Sequence, residues 1–475
     1  MEPLFSLQSQ SVKFGKGVTR REWMRVGGLS TLGLTMQHML QAQAVQAGNA
    51  TLQSSTFGRA KRCIFLYMWG GPPHIDTFDP KPDAPADIRG EFGPIATNVP
   101  GVFVSDHLPW LADQADKYTI IRSVNHKDSD HISASHDLLT GNPYLRVSNL
   151  ITARRTDHPH IGAVLAKLRP GTNELPSYVQ LPCLLKSNSG KVIPGQYGGF
   201  LGKRYDPFIV NAVPNKKPTE DPDFLKFTPD SMELEEGLTA VRLDGVRHLA
   251  KQLDDRARAL ENSLAARELD SLRQQAFSLL CSPKARQAFN LSTEDPVVRD
   301  RYGRHTFGQE VLFARRLVEA GVPLVTVYWR NGPPRTDIGW DNHINNFPNL
   351  KNWQLPPLDR AFSALLEDLS DRGLLEDTLV VWMGEFGRSP RIDSGGGRNH
   401  WPQVFSVVMA GAGMGGAVYG ASDGKGAYPQ DRAVSPHDVG ATIFHLLGID
   451  VNQTLHDSSG RPHLVCRGKP ISGLI

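Results

Sequence analysis

Glu385 and His400 are a carboxylate and an imidazole, the side chains a hydrolytic metal ion takes as ligands. They follow Leu379-Val-Val-Trp-Met383, an apolar and partly β-branched run that reads as a buried strand of a parallel sheet. Gly384 and Gly387 free the backbone to turn at its end. In open α/β sheets ligands collect at the carboxyl ends of strands, so the run delivers both groups to the edge where sites are built. Glu385 could equally pair with Arg388, and His400 could simply pack.

Two further runs repeat the pattern. Lys61 to Met68 reads as a second buried strand and opens into a loop with His74, Asp76 and Asp79. Gly321 to Tyr328 reads as a third; beyond it lie Asp341 and His343 in Trp-Asp-Asn-His (340–343). Three strands therefore lead to carboxylates and histidines, and buried charge costs desolvation unless it is paired or binds an ion. Mixed carboxylate and imidazole ligands suit zinc, manganese or iron better than calcium. The residues alone leave His74, Asp76, Asp79, Asp341, His343, Glu385 and His400 as candidate ligands.

The elements that must position these groups are legible in outline. Gln309–Ala320 and Leu358–Arg372 read as helices feeding the strands at Val322 and Thr378, the pattern of right-handed crossovers on a parallel sheet. Between Pro229 and about Ala288, apolar residues such as Leu249, Leu253, Leu260 and Leu264 recur at helical spacing among charged ones, which predicts a helical insertion packed on the core. Thr19-Arg-Arg-Glu-Trp-Met24, a mildly apolar run and Ala42-Gln-Ala44 have the order of a secretory signal, and the paired arginines suggest the twin-arginine route. Residues 1–47 are thus expected to be an export signal and 48–475 one α/β domain, periplasmic or extracellular.

The 475 residues carry a formal net charge of +3, too small to imply a nucleic-acid partner, and no apolar run reaches the ~20 residues a membrane span needs. The four cysteines, Cys63, Cys183, Cys281 and Cys466, form no zinc-finger spacing and leave at most an unassignable disulfide.

Taken in order, Trp-Gly-Gly-Pro-Pro-His-Ile-Asp-Thr-Phe-Asp-Pro-Lys-Pro (69–82), Asp-His (130–131) before Leu-Leu-Thr-Gly (138–141), Pro-Gly-Gln-Tyr-Gly-Gly-Phe-Leu-Gly (194–202), Trp-Asp-Asn-His (340–343), Gly-Glu-Phe-Gly-Arg (384–388), Gly-Arg-Asn-His-Trp-Pro (397–402) and Val-Ser-Pro-His-Asp-Val-Gly-Ala-Thr-Ile (434–443) span nearly the whole mature chain. This set resembles the sulfatase-like branch of the alkaline phosphatase superfamily, and within it the exported bacterial proteins grouped as domain-of-unknown-function family 1501. The resemblance implies an α/β fold with a central, mostly parallel sheet between helices. It also implies divalent metals at the sheet's carboxyl edge and hydrolysis of an anionic sulfate or phosphate ester, such as a sulfated carbohydrate. By the same resemblance Asp76 is the carboxylate after the first strand, Asp341 and His343 are an Asp/His metal pair, and His400 is the late metal histidine.

Two departures matter. Where relatives have an Asp-His pair this chain has Glu385-Phe386, which weakens or rearranges the second metal site. Where sulfatases place the nucleophilic Cys, it has His131. Ser133, Ser135 and a metal-activated water are the candidates for the missing nucleophile, because a metal lowers the pKa of water to about 7. The expected metal ligands are therefore Asp76, Asp341, His343, Glu385 and His400, with His131 at the border of the site as a further ligand or a general acid; His126, Asp130 and His136 lie close by in sequence. Lys127, Arg122, Arg388 and Arg398 are the candidates for neutralising the anion. The alternative is a non-catalytic carbohydrate- or partner-binding protein on the same fold.

Overall fold

The structure, a computed structural model, describes residues 56–144, 152–171, 175–187, 189–214, 225–227, 282–329 and 339–475. The expected export signal and most of the expected helical insertion lie outside the described residues. Of the insertion, the described end is the Pro283–Phe289 helix, whose Phe289 packs edge-on against Phe313.

Eight strands form the central sheet: β1 (Arg62–Tyr67), β2 (Tyr118–Val124), β3 (Tyr178–Leu181), β4 (Phe208–Ile209), β5 (Leu324–Tyr328), β6 (Thr378–Met383), β7 (Phe405–Ala410) and β8 (Ala417–Tyr419). Their order across the sheet is β8-β2-β7-β6-β1-β5-β3-β4. Every neighbouring pair is parallel except the two that β7 makes, with β6 and with β2. The strands expected near Cys63, Val322 and Val380 are adjacent, with Cys63 opposite Leu379 on one side and Leu324 on the other.

Alternation along β1 explains the layering. Ile64 and Leu66 join one apolar cluster, whose helices are Thr306–Ala320 and Leu355–Asp371; Cys63, Phe65 and Tyr67 join the other, which includes apolar residues of His131–Thr140, Ile161–Leu168 and Pro436–Leu446. In chain order these helices are α1 (His131–Thr140), α2 (Ile161–Leu168), α3 (Thr306–Ala320), α4 (Leu355–Asp371) and α5 (Pro436–Leu446). Burial on both faces is why the strands read as continuous hydrophobic runs. The expected helices over 309–320 and 358–372 are α3 and α4, each starting three residues earlier.

Candidate metal centre

The site residues come from the ends of several strands. His131 is the first residue of α1, which follows β2 after a short loop; Asp130 caps that helix, its Oδ1 accepting from the Ile132 and Ser133 amides. Asp341 and His343 follow β5, and Glu385 follows β6. His400 and Trp401 pair antiparallel with Arg388 and Gly387 just before β7, whose reversed direction brings its amino end to the carboxyl edge of its neighbours.

Asp341 Oδ1 is the centre. Around it lie His343 Nε2 at 3.0 Å, His400 Nε2 at 3.2 Å and His131 Nε2 at 3.3 Å. The His343 and His400 Nε2 atoms are 3.0 Å apart. Ligands bonded to one ion at about 2.0–2.1 Å stand about 2.9–3.4 Å from one another; hydrogen-bonded atoms stand equally close, and the spacings admit a shared cation. His131, Asp341 and His400 form the single group of at least three such side chains among the described residues whose ligand atoms all converge.

What lies behind each ring matters as much. His131 Nδ1 donates to Glu385 Oε1 at 2.5 Å, His343 Nδ1 to Asn399 Oδ1 at 3.0 Å, and His400 Nδ1 to the Ser129 carbonyl at 2.8 Å. Each partner is an oxygen acceptor, so each ring carries its proton on Nδ1 and, when neutral, offers the Nε2 lone pair to the centre. Backing of this kind fixes tautomer and orientation in metal sites. His131 Nε2 is buried and lacks a well-formed hydrogen bond, its 3.3 Å approach to Asp341 being poorly aligned. The Asp341 carboxylate oxygen with the His131 and His400 nitrogens, of which His131 Nε2 is orphaned, is a donor set that fits a divalent metal ion, and His343 stands beside it.

Glu385 is fully buried and also accepts from the Gly70 amide at 2.8 Å. Gly70 has φ +106°, and a Cβ there would stand 2.5 Å from the Asp341 amide nitrogen, so only glycine lets these two loops touch. Burial lowers the pKa of His131, but the hydrogen bond to Glu385 and the attraction of the Asp341 and Glu385 carboxylates outweigh it and raise the value to about 9. Burial raises that of Asp341, but His131, His400 and Arg388 together hold it well below the usual carboxylate range.

Other candidates are committed elsewhere. Asp76 stands outside the cluster: it is fully buried, and both its oxygens are taken by Arg398 at 2.8 Å, with Asn346 adding a third bond at 2.8 Å. A carboxylate so engaged neutralises a buried guanidinium and has little left to offer an ion. Arg388 is sealed from solvent and donates to the Gly70, Gly71 and Arg398 carbonyls and to Asp341, so it positions loops rather than meeting a ligand. Ser133 lies two residues past His131 on α1, about 200° around the helix, and its hydroxyl turns to Asp130. Ser135 is buried, donating to the His131 carbonyl and accepting from Tyr67. His126 bonds the Glu385 carbonyl. Arg122 serves the Phe78 and Phe103 carbonyls. His74 meets the Gly426 carbonyl, and Asp79 meets Lys81 and Ser422. Lys127, of the four basic candidates, keeps an exposed side chain.

Sequence reasoning missed four supports. Trp69 and Phe386 pack on His131 with ring centres 5.0 and 4.7 Å away, and Phe386 also packs on His400 at 4.6 Å. Phe386 thus walls the histidines on their apolar side. Asn399 sits beside His400 in the sequence, a signal that was available. Ser129 contributes only a backbone carbonyl, for which the sequence carries no signal.

Residues 60–475 match the family model described as "Protein of unknown function (DUF1501)", and the chain belongs to that family. Among curated proteins none matches. Solved structures with likeness include Ps i-CgsB (14% identity, TM-score 0.38, 82% of this chain and 73% of that one). A protein in the alkaline phosphatase superfamily from Vibrio parahaemolyticus is 12% identical, with a TM-score of 0.39 over 83% of this chain and 68% of that one. The lipoteichoic acid synthase LtaP from Listeria monocytogenes is 10% identical, with a TM-score of 0.36 over 85% and 76%.

Proposed function

We propose that this protein is an exported, metal-dependent hydrolase of sulfate or phosphate esters. The observation that carries the reading is the three-histidine arrangement: each Nδ1 is held by an oxygen behind it, and each Nε2 faces Asp341 Oδ1. A bound zinc or manganese ion would supply Lewis acidity, polarising the ester oxygen and acidifying water. His131, Asp341, His343 and His400 would hold it. Glu385 fixes the His131 ring and adds a buried negative charge against the cation. Arg388 limits that charge by pairing with Asp341. Phe386 and Trp69 shield the histidine cluster on one side. His343, with 44% of its side chain exposed, leaves the other side open to an entering ester. No side-chain nucleophile is assigned, since Ser133 and Ser135 are occupied, and water takes that role. The substrate class is an anionic ester, and of the four basic candidates Lys127 has the exposed side chain that could meet it. Export by the twin-arginine route, led by Arg20 and Arg21, belongs to the same reading.

Metal analysis of the mature protein, joined to assays on p-nitrophenyl phosphate and p-nitrophenyl sulfate, tests it. The expected result is at least one bound zinc or manganese per chain and turnover of one ester, abolished by chelator and restored by that metal. A metal-free protein inert to both esters after zinc or manganese loading would end the reading. Bound metal without turnover of either would favour the non-catalytic binding protein.

A further inference from the structure

Of the tryptophans among the described residues, Trp110 and Trp353 alone are exposed, at 50% and 44%, and both line one cavity of about 690 Å³. That volume lies within the range of small-molecule sites. Exposed indoles grouped in one concavity are uncommon on a protein's free surface and mark places where something binds.

The cavity is built rather than incidental. Asp359, on α4, accepts from the Trp110 and Leu111 amides at 3.1 and 2.8 Å and fixes the short Pro109–Ala112 helix. Arg360 lies over the Trp110 ring at 5.7 Å and is itself anchored on the Asp300 and Arg301 carbonyls, which holds the indole in place while half of its surface stays exposed. Trp353 projects from the π-helical turn Leu350–Gln354, a helix type that recurs at functional sites. On the same turn Gln354 points inward, bonding the Gly339 carbonyl and accepting from Asn342 at 2.8 Å. Asn342 lies between Asp341 and His343. A hydrogen bond thus joins the loop of two candidate ligands to the turn that carries Trp353.

The lining is amphipathic. Flat indole faces and rigid Pro109, Pro356 and Pro357 supply the apolar walls, while Asp106, His107 and Asn352 bring acceptors and donors to the same space. A pyranose ring has matching chemistry: an apolar C–H face that stacks on an aromatic plane, and a rim of hydroxyls that hydrogen-bond carboxylate, amide and imidazole. The polar groups at the rim give such a ligand partners that a purely apolar one would not use. We propose that this cavity is a saccharide-binding site, with Trp110 and Trp353 as its stacking platforms. Its use as a subsite for a glycan whose ester reaches the histidine cluster rests on the hydrolase reading above; binding in the cavity does not.

The test is a glycan array of sulfated and unsulfated oligosaccharides probed with the full mature chain. Isothermal titration of the strongest hit and of a proline-rich decapeptide follows. At least one oligosaccharide should bind. Trp110→Ala and Trp353→Ala should each weaken it about tenfold or more, with Trp353→Phe recovering most of the loss and melting temperatures unchanged. A silent array, a hit indifferent to both tryptophans, or preference for the peptide overturns the assignment. Tryptophan-dependent saccharide binding in a protein that hydrolyses no ester leaves the cavity assigned and removes only the hydrolase reading.

Discussion

Glu385 and His131 form the pair on which the cluster's chemistry turns. Glu385 sits behind the imidazole, where partners of this kind are worth about 10–100-fold in metal affinity. Glu385→Gln keeps the shape, since the amide oxygen can still accept from His131 Nδ1, but it removes a buried negative charge. It should therefore weaken zinc binding by about 10–100-fold in a competition titration with a chromogenic chelator. Unchanged affinity would show that Glu385 is merely packed. His400→Ala should strip metal from the purified protein, whereas His136→Ala should not. His136 lies on the same helix as His131 but is buried near Tyr144 and His158, well away from Asp341 in the contacts it makes. Equal metal content in the two variants would make His400 structural.

The elements that hold these residues are loops clamped on the sheet edge, and their tolerance is small. Gly70 joins the β1 loop to Glu385 through its amide and to the Asp341 loop by close approach. Gly70→Ala adds a methyl group where the backbone leaves no room and forces a left-handed conformation unfavourable to L residues. The expected outcome is a loss of about 1–3 kcal/mol in urea unfolding, with metal content falling as Asp341 is displaced. Full stability and full metal content would show that the two loops are not pressed together as described.

At the scale of the whole molecule, buried His160 and half-buried His158 and His305 are held neutral, and their suppressed protonation weakens the fold in acid. Burial pushes His160 down to about 3. Burial, with His136, His463 and Arg467 nearby, pushes His158 to about 4, and burial with Arg360 pushes His305 to about 4. Their folded values lie below the ordinary 6.5, so the unfolded chain binds more protons below that pH. Their contribution is complete above about pH 6.5 and is lost as pH falls toward 4, each tenfold mismatch in proton affinity being worth about 1.4 kcal/mol. His131 runs the other way in the metal-free protein: its contribution is complete below 6.5 and is lost as pH rises through about 9. Thermal melts of the metal-free protein should thus show a falling melting temperature from pH 6.5 to 4. A flat profile there would mean that these rings titrate normally.

Read along the chain, the amino-acid order by itself determined the three central strands, the two helices that feed them, and which loops carry carboxylates and histidines. These are local properties: apolar runs buried on both faces, helical periodicity, and glycines where strands end. Family membership was legible for the same reason, because ordered motifs survive in one dimension. Which group does what was decided only by the tertiary structure. Asp76 and Asp341 look alike in sequence, yet a buried Arg398 claims the first and three imidazoles surround the second. Glu385 and His131 are 254 residues apart, and only the neighbouring ends of β2, β7 and β6 place one behind the other. A side chain's role depends on which partners reach it and how much water is excluded, and both are fixed by packing between segments distant in sequence.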